Sequence, residues 1–99
     1  MNDLDRLRLL ERTLLESSLD EASNLGRLAN DIESLCSSIE GCESNFSSCY
    51  SSLWAALEVV ALTSFELGAP IQQTQQCDLS QLVSGLLTAT RAELNRRNS

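Results

Sequence analysis

Four cysteines, Cys36, Cys42, Cys49 and Cys77, are the side chains here best suited to covalent or metal chemistry, and their spacing limits both. No two of them stand in a Cys-x-x-Cys arrangement, so a structural zinc site has little support. Cys36 and Cys49 lie symmetrically about Cys42-Glu43. In an antiparallel helical hairpin turning there, they face each other, as a buried thiol pair or as a disulfide closing a loop of about fourteen residues, worth on the order of 3 kcal/mol. Cys49 falls in the first turn of an expected helix, where the helix dipole lowers a thiol pKa. A redox-sensing thiol is compatible with that placement, but a cysteine hydrolase is not, because no base stands behind it.

The missing base is general. The chain contains no histidine and no lysine, its seven basic residues all being arginine. Serine–histidine and cysteine–histidine pairs, histidine metal sites, Schiff-base chemistry and the phosphate-binding lysine of a P-loop are all excluded. Serines cluster at Ser37-Ser38, Ser47-Ser48 and Ser51-Ser52, near the expected turn, where hydroxyls cap helix ends but form no catalytic pattern. No enzyme activity, metal or cofactor is expected.

Charge is the next constraint. The formal net charge is −7, and it is unevenly spread: residues 1–27 carry −2, residues 28–90 carry seven acids and no base, and residues 91–99 carry +2. Affinity for nucleic acid comes from clustered cations at phosphates, so direct nucleic-acid binding is not expected, nor is attraction to an anionic membrane. The acidic middle, represented by Asp31, Glu33, Glu40 and Glu43, keeps a small protein soluble or meets a basic partner.

Aromatic residues are few, 4% of the chain, but they are aligned. Phe46, Tyr50 and Trp54 follow at intervals of four, and Phe65 falls eleven residues later, about three helical turns, on nearly the same face. Such a stripe is either core or a candidate interface, since tryptophan, tyrosine and phenylalanine anchor binding surfaces. The adjacent seam of Leu53, Ala56, Val60 and Leu67 is expected to dock the preceding helix, which leaves the stripe offset for a partner.

These residues need helices to position them. Leucine dominates, glycine and β-branched residues are scarce, and 42% of residues are hydrophobic, a composition for a folded helical protein. Leu4, Leu7, Leu10 and Leu14 recur at helical steps, as do Ala22, Leu25, Ala29, Ile32, Cys36 and Ile39; helix is expected over about 3–40, either continuous or with a bend near 17–20, where Ser18 and Glu21 have the capping-box spacing that would begin a second helix. Gly41 ends it. A second helix runs over 46–67, apolar on almost every face from Ala55 onward and stopped by Gly68 and Pro70. A glutamine-rich connector, Ile71 to Cys77, precedes a third helix over 78–96, opened by Asp78 and Gln81 and closed by Arg96-Arg97.

The expected fold is a single all-α domain over residues 1–99: an antiparallel helical hairpin plus a third helix, assembling as a helical bundle through a second copy. The acidic N-terminus does not resemble a secretory signal, and the apolar stretch from Leu53 to Leu62 is interrupted by Glu58 and is about half of a bilayer span, so a cytoplasmic protein is expected. Arginine-only usage hints at a bacterial or phage genome. The functional expectation is an acidic homodimeric interaction module, such as an adaptor, a secretion-chaperone-like subunit or a regulator. Two alternatives are an inhibitor from a phage or mobile element whose acidic surface blocks a nucleic-acid-binding protein, and a thiol redox switch.

Overall fold

Asn2 opens the first helix, its side-chain oxygen accepting the Asp5 amide at 2.8 Å in the computed structural model, which describes residues 2–19, 22–68 and 71–98. Four helices follow: α1 (Asp3–Leu15), α2 (Ala22–Ser38), α3 (Ser44–Leu67) and α4 (Gln73–Asn98). No strand occurs among the described residues.

The helical stretch expected over the first forty residues is divided into two helices at the bend expected near 17–20. At the end of α1 the Ser17 hydroxyl donates to the Leu14 carbonyl at 2.8 Å, taking an acceptor that a continuing helix would use for a backbone amide. The expected capping partner Glu21 lies outside the described residues, as does Pro70. Gly41 and Gly68 adopt φ of 73° and 60°, the left-handed conformation that ends α2 and α3.

The last helix begins five residues earlier than the glutamine-rich connector suggested. The Gln75 side-chain oxygen accepts the Gln72 amide at 3.2 Å, and the Gln72 carbonyl accepts the Gln76 amide at 3.0 Å. Glutamine is a good helix former, and here it also supplies the cap expected from Asp78 and Gln81.

Each helix packs on two others: α1 on α2 and α4, α3 on α2 and α4, with neither diagonal pair in contact among the described residues. Short connectors and the pairing of Asp3 with Arg97 and Glu11 with Arg91 make neighbours antiparallel. The shared core is aliphatic, with Leu7, Leu10, Leu25, Ala29, Ile32, Leu53, Leu57 and Leu86 fully shielded. The lengths are unequal. At 1.5 Å per residue α1 spans about 20 Å and α4 about 39 Å, so α1 covers the C-terminal half of α4 and the α3–α4 hairpin runs on past it.

Candidate interaction surface

Leu53 and Leu57 turn the middle of α3 into the core, and the residues on either side of them decide what remains outside. Tyr50 lies toward α2 and Trp54 follows it by four residues on the same helix face, both half-buried and packed against the core. Burial pushes the Tyr50 hydroxyl pKa up, with Cys36 and Glu33 of α2 adding to it, which places the ring against α2. Toward α4 lie Ala56 and Val60. Tyr50 thus meets the preceding helix, whereas Ala56 and Val60, expected to dock that helix, lie beside α4.

Phe46, the first residue of the aromatic stripe, is only 3% exposed and belongs to the core. The side chain of Phe65 lies outside the described residues. Trp54 contributes an indole Nε1 that is buried without a hydrogen-bond partner, which costs about 1–3 kcal/mol for such a group.

Beyond the seam, the outer face of α3 carries apolar side chains in water. Val59 is 64% exposed and Leu62 58%. Beside them a groove of about 380 Å³ runs between α3 and α4, lined by Ala55, Ala56, Val59 and Val60 on one wall and Gln75, Asp78, Leu79 and Leu82 on the other. This face belongs to the segment from Ala55 onward whose apolar character on almost every side calls for a second covering layer. Its signal was the run from Ala55 to Leu62, apolar on more sides than two neighbouring helices can cover.

The cysteines are free thiols, and no disulfide joins Cys36 to Cys49. Cys36 is buried on α2, and burial pushes its pKa up to about 12 with a further contribution from Cys42. Cys49 lines a shallow hollow against α4, with Gln81, Leu82 and Gly85. Tyr50, one residue on, is the part of α3 that approaches Cys36, because a single step along a helix turns the side chain by about 100°. Burial also raises the Cys42 pKa, with Glu93 adding to it against the opposing Arg97 and Arg96. Cys77 is exposed on α4. Among the described residues no group of three or more cysteine, aspartate or glutamate side chains could hold a metal ion.

The acidic candidates divide between two places. Asp31 and Glu33 are exposed on α2, and Glu40 and Glu43 are exposed in the loop after it. That loop is clamped by the two ends of the chain. Glu93, 3% exposed on α4, accepts the Glu43 amide at 2.9 Å and hydrogen bonds from Arg96 and Arg97. Arg96 donates to the Gly41 carbonyl at 2.7 Å and stands 3.7 Å from the Glu43 carboxylate. Arg97 donates to the Glu40 carbonyl and to Asp3 at 3.2 Å, and Arg6 joins Asp3 to the Ser38 carbonyl. The C-terminal arginines thereby offset the acidic middle of the chain at this pole. The Glu93-x-x-Arg96-Arg97 spacing was the legible signal, since i,i+3 and i,i+4 pairs share a helix face.

No helix among the described residues is long and apolar enough to cross a membrane. Comparison with protein-family models, curated proteins and solved structures finds no match to this chain.

Proposed function

We propose that this chain is a non-catalytic protein–protein interaction module, in the manner of an adaptor, a secretion-chaperone-like subunit or a regulator, and that it docks its partner on the outer face of α3 and the groove beside it. The observation that carries this reading is the exposure of Val59 in the wall of an apolar groove, with exposed Leu62 three residues on along the same helix face, on a helix whose inner face α2 and α4 already cover. Large apolar side chains grouped beside a groove favour a covering surface, and burying them contributes roughly 1.5–3 kcal/mol each.

Two further features support a module without catalysis. The chain has no histidine or lysine to serve as a general base. Its densest charged cluster, around Glu93, is satisfied internally and holds the chain ends to the α2–α3 loop.

Affinity capture from the native host, at low and high salt, tests the reading. The wild-type chain should retain a defined protein that survives high salt, and the helical but groove-impaired double variant Val59→Gln, Leu62→Gln should lose it. Retention by both would place the contact elsewhere. Sedimentation of the same two proteins at micromolar concentration reads out self-association, the form of pairing expected from the sequence.

A further inference from the structure

We propose that the occupant of the α3–α4 groove is an amphipathic helix of another protein whose apolar stripe is flanked by arginine or lysine, an inference that rests on the interaction reading above. Charge complementarity carries it. Asp78 stands in the groove wall. Glu66 is exposed and follows Leu62 by four residues and Val59 by seven, which sets it on the same face of α3. No base occurs anywhere from residue 28 to residue 90 to balance them. The trough itself is aliphatic, walled by Val59, Val60, Leu79 and Leu82, and two antiparallel helices present such a trough to the i, i+3, i+4 and i+7 side chains of a third.

A second copy of this chain does not meet the same demand. Five of its seven arginines, Arg6, Arg12, Arg91, Arg96 and Arg97, already hold carboxylates of their own chain. Arg27 shares a hollow with Glu16 and Asp31, and Arg8 stands three residues from both Asp5 and Glu11 on α1. None of these makes a cationic face. A copy seated through its own groove would set Asp78 and Glu66 against further acids, which opposes the contact.

Three synthetic helical peptides test the proposal against the full-length chain by fluorescence anisotropy. One carries leucines along a single face with lysines beside them, the second keeps the leucines and replaces lysine by glutamate, and the third keeps the lysines and scrambles the leucine spacing. The first should bind about tenfold more tightly than either control. Val59→Gln should weaken it about tenfold through lost apolar burial, and Asp78→Arg about fivefold through the reversed charge. Circular dichroism confirms that both variants remain helical. Equal binding of the lysine and glutamate peptides, or an Asp78→Arg variant that binds as well as wild type, overturns the charge assignment. Host capture that still depends on Val59 and Leu62 then leaves the interaction reading standing, whereas capture that does not depend on them removes both. A wild-type dimer that Val59→Gln converts to monomer assigns the groove to a second copy and overturns the proposal.

Discussion

Arg97 donates to Asp3 across 3.2 Å although ninety-four residues separate them in the chain. The contact ties the last turn of α4 to the first turn of α1, and through the Glu40 carbonyl and Glu93 it reaches the α2–α3 loop as well. Three segments far apart in sequence are thus fixed at one pole, and the groove lies toward the other.

The carboxyls at this pole make the fold acid-sensitive. Burial alone would raise the Glu93 pKa, but the Glu43 amide together with Arg96 and Arg97 outweighs it, and the carboxyl sits below its ordinary value of 4.5. Asp3 behaves alike against its ordinary value of 3.8, with burial opposed by the Glu40 amide, Arg6 and Arg97. Both groups bind protons more weakly when folded, so they stabilise the fold fully above these ordinary values, and that contribution is lost as pH falls through the lower folded ones. Glu93→Gln should cost about 2 kcal/mol at pH 7, and the gap to wild type should narrow in urea melts as the pH falls below the ordinary value of 4.5 and through the lower folded one. A gap that widens in acid would contradict the assignment.

Trp54 is half-buried against the core, so Trp54→Ala should lower folding stability by about 3 kcal/mol, through lost packing and a partly filled cavity. The melting temperature should drop by the same amount across a hundredfold range of protein concentration. A drop seen only in dilute protein would mark Trp54 as part of an interface between copies.

Much of this architecture can be read from residue spacing, because leucine periodicity and glycine stops are local signals. Leu7, Leu10, Leu14, Leu25 and Ile32 stand in the sequence as they stand in the core. The face of α3 that meets each neighbour is a different kind of fact. Tyr50 and Val60 each sit beside the fully apolar centre of the helix, and only the positions of α2 and α4 decide which of them is covered by which. The start of α4 was obscured for another reason: Gln72 to Gln76 read as a polar linker, yet Gln75 uses its side chain to cap the helix that its own backbone begins. Ion pairs such as Asp3 with Arg97 are invisible locally, since nothing in either segment names its partner.

The thiols should react in an order set by exposure. Cys77 is exposed, and Cys36 is buried with a pKa near 12. With a thiol-blocking reagent in native buffer at pH 7.5, mass spectrometry should show Cys77 modified first and Cys36 last, and full labelling of Cys36 only after denaturation. Early modification of Cys36 would mean that α2 does not pack as described.

The docking face itself is tested most directly by photo-crosslinking in the native host, with a photoreactive side chain introduced at Val59 in one protein and at the exposed Ser23 of α2 in another. The account predicts a discrete crosslinked species of higher mass from position 59 and none from position 23. Crosslinks from position 23 alone would place the partner on the exposed face of α2 and contradict the assignment of the α3–α4 groove.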